Sequence, residues 1–514
     1  MSILTINNLT HSYGGKILFE KAGFNVNSKE HVGIVGFNGA GKTTFINIII
    51  GKIVQDEGDV SWLNGIRFGY LDQHADINRK TSVMDYLKTS FENLIEAEKR
   101  MEQLYDDMST MTDMYEIEKV INKASKIQER LNDSGFYEMD ATIKKVANGL
   151  GIGVIGYETV IGTLSGGQRA KVMLAKLLLD DYDIILLDEP TNFLDLEHIE
   201  WLAKYLETYK GTFLLVSHDT AFLNRVTNFI LSIENHEIKK YSGNYDAFLL
   251  AHENNQRQYV DSYERQQREI KKMEDYIAKN KARAATAGMA NSRKKMLERI
   301  DVMAKPVTIL PSVFSFLCDS IITKDMLIVD KLEIGYTDKL LPPLSMHLEG
   351  SDKIWIRGTN GIGKTTLVKT IMKIIPKLGG KFRINENAKV GYLEQDFSFN
   401  NLYGSAVDYL VEVYPKMSQK EIRTLLASVG LKGELATKSI SSLSGGEQAR
   451  AKIAALEKKE TSILILDEPT NHLDVRAKEE LLKALKEYNG AVILVSHEVD
   501  FAKALCNKIF DIEN

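Results

Sequence analysis

A phosphate-binding turn written twice constrains this chain more than any other feature. GFNGAGKTT spans residues 36–44 and GTNGIGKTT spans residues 358–366, and both satisfy the pattern G-x-x-x-x-G-K-[ST]. Each follows an apolar run of strand character, HVGIVG or KIWIRG, and opens a helix-like one, TTFINIII or TTLVKTIM. That setting makes the motif a phosphate site. N–H groups of the Gly-rich turn and of the helix start point at the phosphates, Lys42 and Lys364 add positive charge, and Thr43 and Thr365 can ligate magnesium. The repeat predicts an α/β chain with two phosphate-loop domains.

Further motifs recur in the same order. Gln73 in GYLDQ and Gln395 in GYLEQ keep the offset that separates the two phosphate loops. LSGGQ from Leu164 matches LSGGE from Leu443, DEPTNFLD matches DEPTNHLD, and VSHD from Val216 matches VSHE from Val495, all at one shorter offset. The first copy therefore holds an insertion between Gln73 and Leu164. The runs DIILLDE and SILILDE read as buried parallel strands, ending in the pairs Asp188–Glu189 and Asp467–Glu468 at the sheet edge where open α/β folds bind ligands. His218 and His497 each follow another apolar strand. Ser165 and Ser444 precede Gly-Gly turns and long helices, a turn that presents N–H donors and a hydroxyl to an anion.

The chain is 514 residues long, 44% hydrophobic and 26% charged, which is globular composition. No run reaches the ~18 apolar residues a bilayer helix needs, and the N-terminal residues lack a signal-peptide pattern. Those features predict a cytoplasmic product with no membrane partner. Two cysteines cannot build a disulfide framework. Net charge −5 gives no global nucleic-acid footprint, so any such contact needs a local basic patch.

The insertion, at about residues 81–140, reads as a short helical hairpin. Phe91, Leu94, Ile95, Met101 and Leu104 form one stripe, and Tyr115, Val120, Ile127 and Leu131 form another. Its acidic residues outnumber its basic ones. It is either a structural embellishment or an arm that docks a partner. The connector, residues 241–305, reads as two long helices around a break near 284–289. Tyr263, Ile270, Met273 and Ile277 seam against Met289, Met296, Ile300 and Met303. Its tip carries Lys279, Lys281, Arg283, Arg293, Lys294 and Lys295 with no acidic residue between them, a focused surface for backbone phosphates. The domains are thus residues 1–240, with the arm, the linker 241–305, and 306–514.

The ordered motif set resembles the ATP-binding cassette superfamily. The resemblance implies two sites for ATP with Mg2+. Gly36, Asn38, Gly39, Gly41, Lys42, Thr43 and Thr44 would cradle one nucleotide, and Gly358, Asn360, Gly361, Gly363, Lys364, Thr365 and Thr366 the other. Asp188 and Asp467 would hold the metal with Thr43, Thr365, Gln73 and Gln395. Glu189 and Glu468 would act as general bases, and His218 and His497 would sense the terminal phosphate. In such cassettes the halves meet head to tail, so Ser165, Gly166, Gly167 and Gln168 would face the second phosphate loop, and Ser444, Gly445, Gly446 and Glu447 the first. Glu447 departs from the usual glutamine, a difference that bears on whether both sites turn over equally. Asp195 and Asp474 resemble the loop that couples the sites. Tyr13 and Tyr336 either stack on adenine or belong to the core.

Tandem cassettes, an arm in the first copy and a basic helical linker together resemble the ABC-F family. The resemblance implies a soluble ATPase that acts as one chain with an intramolecular cassette pair. Its ribosomal contacts would be rRNA and P-site tRNA, entered from the E site with the linker toward the peptidyl transferase centre. Members include general translation factors and proteins that dislodge antibiotics. The alternative is the ATPase subunit of a sugar-type importer, which also fuses two cassettes but lacks such a connector.

Overall fold

The computed structural model describes every residue except 14–15, 38, 72–78, 110, 281–286, 301, 304–312, 320–323, 360, 396, 472 and 514. Each phosphate loop leaves the middle of a parallel sheet. In the first half six strands run in the order Phe68–Tyr70, Ile184–Asp188, Thr212–Val216, His31–Gly36, Phe229–Glu234 and Glu237–Ser242, and all neighbours are parallel except the last pair. In the second half five parallel strands run Val390–Leu393, Ile463–Asp467, Ala491–Val495, Lys353–Arg357 and Lys508–Asp511. A three-stranded antiparallel sheet accompanies each.

The near-continuous apolar strands are explained by burial on both faces. In the strand Ile184–Asp188, side chains alternate between two cores. Ile184 and Leu186 pack with Leu4, Phe19 and Phe45 from the antiparallel sheet and the first phosphate-loop helix. Ile185 and Leu187 pack with Val172, Leu202 and Phe213 beneath the helices. The second half repeats this scheme, with Ile463 and Ile465 in one core and Leu464 and Leu466 in the other. Each fully buried aliphatic side chain contributes about 2 kcal/mol. This two-sided packing holds the strand ends, and the acids on them, in fixed register.

The insertion is the expected hairpin, with helices Glu92–Met108 and Met114–Asp133. Its seam buries Met101, Ala124, Leu131 and Phe136, with Leu94, Ile95, Leu104 and Ile127 alongside, and Val120 is buried as well. Tyr115 departs from the expected stripe. It is 65% exposed and lies beneath the ammonium of Lys119, 4.5 Å away. The N-cap explains this: Asp113 accepts the Tyr115 N–H at 2.9 Å, so Tyr115 sits in the first turn, beyond the facing helix.

The linker contains helix Tyr245–Asn280 and returning helix Ala287–Leu297. Its root is fixed by Tyr245 and Phe248, both buried, and by His252, 3.3 Å from Glu234. Toward the tip the Arg293 guanidinium lies 3.7 Å over the Tyr276 ring. Tyr263, Ile270, Met273 and Ile277 are half-buried as expected, and on the return Ile300 and Met303 are half-buried as expected, joined by Leu297. Met289 and Met296 are each 58% exposed. One residue of slip turns a helical side chain by about 100°, enough to exchange Met296 for its neighbour in the seam. Of the expected break at 284–289, residues 284–286 lie outside the described residues and Ala287 already belongs to the return helix. Among the described residues, no helix is long and apolar enough to cross a membrane.

Leu131 is fully buried in the arm. Leu131→Ala is expected to cost about 2–5 kcal/mol, and hydrogen exchange should report it as deprotection across residues 92–133 with the parallel sheets unchanged. Uniform deprotection of the whole chain would contradict an arm with its own core.

Candidate active site

The first phosphate-loop helix, Lys42–Ile49, starts at Gly41, whose φ of 96° is left-handed and whose side is closed by Phe19. A Cβ there would stand 2.9 Å from the Phe19 ring, so glycine is required for both conformation and space. Gly363 caps the second loop's helix with φ 119°. Neither helix has a side-chain cap, which leaves its first N–H groups directed at the site. Lys42 Nζ donates to the Gly36 carbonyl at 2.8 Å, and Lys364 Nζ donates to those of Gly358 and Thr359 at 2.7 and 2.9 Å. Burial pulls both lysines below the ordinary lysine pKa, and nearby acids oppose it. These are Glu189, Asp474 and Asp188 for Lys42, and Glu468, Asp195 and Asp467 for Lys364. Asp474 and Asp195 each come from the opposite half.

The acidic pairs face these lysines. Glu189 and Glu468 have φ of 49° and 51°, a left-handed conformation that costs a non-glycine residue about 1 kcal/mol or more. Each is held there by its N–H, which donates at 2.9 Å to the carbonyl of Val216 or Val495 on the adjacent strand. The turn aims both carboxylates at a histidine. His218 Nε2 lies 3.4 Å from Glu189 Oε1, and His497 Nε2 lies 3.0 Å from Glu468 Oε1. Burial pushes the Glu189 carboxyl up to about 7 against the pull of Lys42, and pushes Asp467 up to about 6. Asp188 rises for the same reason, opposed by the Thr43 hydroxyl and Lys42. The Thr365 hydroxyl donates to Gln395 Oε1 at 3.2 Å, which joins the second phosphate loop to the glutamine segment. Gln73, Asn38 and Asn360 lie outside the described residues.

These groups fit a magnesium ion. Both oxygens of Asp467 and one oxygen each of Glu189 and Glu468 are buried without a completed hydrogen bond. The Thr365 hydroxyl near Asp467 lowers its pKa without reaching good hydrogen-bonding geometry. Hard oxygen donors in that state suit a hard cation. Among the described residues no cluster of three His, Cys, Asp or Glu could hold a metal alone. The donor set suits an ion that brings phosphate and water ligands with it.

The halves meet head to tail around one cavity of about 750 Å³. Lys42, Thr43, Thr44, Asp188, Glu189 and His218 line it together with Ser444, Gly445 and Gly446 of the other half. Reciprocally, Lys364, Thr365, Thr366, Glu468 and His497 share it with Gly167. Gly39, Gly41, Gly361, Gly363 and Gln395 also line it, whereas Ser165, Gly166 and Gln168 do not. Ser165 forms a capping box with Gln168, donating its N–H to Oε1 at 2.9 Å. Ser444 forms the same box with Glu447 at 2.8 Å, so the departure in the second copy keeps the acceptor oxygen. Asp195 pairs with Lys171 at 3.1 Å and Asp474 with Arg450 at 2.7 Å. These cations, and Asn192 and Asn471 in the cavity wall, are not among the predicted site residues, although all recur at the shorter offset. Tyr13 and Tyr336 are 70% and 68% exposed, so neither is a core residue, and neither lines the cavity. Lys279, Arg293, Lys294 and Lys295 are exposed on the linker, and Lys281 and Arg283 lie outside the described residues.

A family profile described as ABC transporter matches residues 19–192 and 341–471, and a second of that description matches residues 231–315. The chain is 41% identical over 514 residues to the uncharacterized ABC transporter ATP-binding protein YfmM of Bacillus subtilis, covering 100% of this chain and 99% of that one. It is 31% identical to ABC transporter F family member 2 of Arabidopsis thaliana, covering 99% of this chain and 76% of that protein. Among solved structures, the archaeal ribosome recycling factor aABCE1, in complex with the ribosomal stalk protein aP1, aligns with a TM-score of 0.59 at 18% identity. That alignment covers 98% of this chain and 87% of that one.

The raised pKa of Glu189 gives a pH test. Its folded pKa, about 7, stands above the ordinary 4.5, so the folded state holds the proton more tightly than the unfolded one. The penalty is absent below about 4.5, grows with pH, and is complete above about 7, where it reaches the order of 3 kcal/mol. Glu189→Gln removes it. In nucleotide-free, metal-free buffer the variant should therefore gain thermal stability over the parent at pH 8 and little at pH 4.5. Equal gains at both pH values would contradict a buried, charge-strained carboxylate.

Proposed function

Because the chain belongs to the ABC-F family of tandem ATP-binding cassette ATPases, we propose that it binds the ribosome in an ATP-gated manner. It is an ATP hydrolase, converting ATP and water to ADP and phosphate. The observation that carries the proposal is the single cavity in which each half's phosphate loop meets the other half's serine-capped helix. Nucleotide held there contacts both halves, so occupancy favours closure and loss of the terminal phosphate relaxes it.

Two ATP sites follow from this reading. Lys42 and Lys364 neutralise phosphate charge, and the uncapped helix starts donate N–H groups to it. Asp188, Thr43 and Gln73 would hold magnesium at one site, and Asp467, Thr365 and Gln395 at the other. When bound, the ion would supply positive charge to offset that of the phosphates. Glu189 and Glu468 accept the proton of the attacking water, and each carboxylate is oriented by its left-handed turn and its histidine neighbour. His218 and His497 take the position that reports the terminal phosphate. Tyr13 and Tyr336, exposed and upstream of the loops in sequence, would stack on adenine.

The linker is the RNA-seeking element of the proposal. Lys279, Arg293, Lys294 and Lys295 are exposed, and the Lys294–Glu298 pair at 3.7 Å is a surface pair worth little, which leaves its charge available. Arg293 is held against Tyr276, so its guanidinium is already ordered before contact. Lys281 and Arg283 belong to the same run. The archaeal factor of similar fold is a ribosome recycling factor by name, which makes the ribosome the first particle to test. The finer reading is entry at the E site, with the linker toward P-site tRNA and the peptidyl transferase centre, in the cytoplasm. It extends to protection from antibiotics bound there.

Glu189→Gln with Glu468→Gln should raise ATP-dependent co-sedimentation with ribosomes above that of the parent chain, and no increase would contradict the gating. Replacing Arg293, Lys294 and Lys295 with glutamine should weaken ribosome binding and lower the slope of log K against log salt by roughly two. Unchanged slopes would show that the tip does not touch phosphate.

A further inference from the structure

The two copies repeat motif for motif, so a residue that grips the opposite half on one side only marks a difference between the two sites. Lys478 is such a residue. It lies on the helix Val475–Glu487, which follows Asp474. Its Nζ donates to Glu498 Oε1 at 2.6 Å and, across the interface, to the main-chain carbonyl of His218 at 3.3 Å. Its side chain is 12% exposed, and its charge opposes the burial that raises Glu189. Glu498 directly follows His497, so one ammonium group joins both histidine loops. On the same helix the Arg476 guanidinium stands 5.2 Å over the ring of Phe37, in the first phosphate loop.

Among the described residues no equivalent contact is recorded on the other side. At the offset that relates Asp474 to Asp195, Arg476 corresponds to Glu197 and Lys478 to Ile199, and Thr359 stands where the first loop has Phe37. Isoleucine has no proton to donate to the His497 loop. Asp219, the counterpart of Glu498, instead caps its own helix, accepting the Phe222 N–H at 2.9 Å. Enclosure follows the same inequality, because Gly446, which faces the first phosphate loop, is buried, whereas its counterpart Gly167 is exposed.

We propose that Lys478 is a positioning residue of one ATP site only, the site built on Lys42, Glu189 and His218, and that it locks that site's histidine loop to the loop carrying His497. The inference rests on the reading of two composite ATP sites. Anchoring the His218 carbonyl fixes the backbone from which the imidazole projects toward Glu189. A shift of about 1 Å in such a group can cost up to a hundredfold in rate. The site on Lys364 has Ile199 in that position and is independent of the lock.

Steady-state ATP hydrolysis by the full chain tests this in two backgrounds. Glu468→Gln leaves the Lys42 site turning over, and Glu189→Gln leaves the Lys364 site. In the first, Lys478→Met should lower kcat about tenfold with KM for ATP within about twofold, and Lys478→Arg should recover most of the loss. In the second, Lys478→Met should change kcat by less than about twofold. Equal losses in both backgrounds, no loss in the first, or a loss that arginine does not recover would each overturn the assignment. Where a background is silent, azido-ATP photolabelling under vanadate trapping gives the same answer. Lys478→Met must deplete label from the first half and spare the second, and equal depletion overturns the proposal. Failure of the two-site reading shows earlier and separately, as hydrolysis at the parent rate by the variant carrying both Glu189→Gln and Glu468→Gln.

Discussion

Opposite charges buried together at the end of a parallel sheet are the interaction on which the rest of this molecule depends. Lys42 is driven toward its neutral form and Asp188 and Glu189 toward theirs, each by the same loss of water, and each is restrained by the other's charge. Removing the lysine would leave the carboxylates with neither water nor a counter-charge, whereas neutralising Glu189 relieves its burial and its repulsion with Asp188 and leaves Lys42 two other acids. The arrangement is therefore specific to a ligand that carries both signs, a polyphosphate with its cation. Asp474 and Asp195 extend the balance across the interface, so the electrostatics of each site is completed by the opposite half.

Much of this was legible in the residues. The doubled phosphate loop, the apolar strands ending in Asp-Glu and the paired histidines predicted the sheets and the cavity wall, because each motif requires a particular backbone around it. The arm and linker were legible as helical hairpins from periodicity alone. Periodicity failed where two apolar residues adjoin, as at Met296 and Leu297, since either could fill the seam. It failed again at Tyr115, where the N-cap set the side chain outside the facing helix. The left-handed turn at Glu189 and Glu468 had no sign in residue type, because the fold imposes it through the Val216 and Val495 carbonyls. Lys171 and Arg450 were missed because their acid partners lie 24 residues on. The Lys478 contact spans 260 residues and joins copies that the repeat encourages one to treat as identical.

The second signature shows how a departure from a motif can be absorbed. Glutamine and glutamate both offer an oxygen to the N–H of the capping serine, and the two boxes close at 2.9 and 2.8 Å. The added negative charge of Glu447 stands at a helix start, where the macrodipole favours it. A difference between the two sites that looked chemical in the motif is thus structurally neutral there. The inequality appears instead on the helix after Asp474, where the repeat has diverged.

The linker's stiffness has a mechanical consequence. A continuous helix of 36 residues is a rod about 54 Å long, clamped at one end by Tyr245 and Phe248. With that length, a tilt of about 5° at the clamp sweeps the far end through about 5 Å, close to one helical pitch. A repacking too small to unseat a single core side chain at the root would be amplified into a displacement larger than a hydrogen bond at the tip.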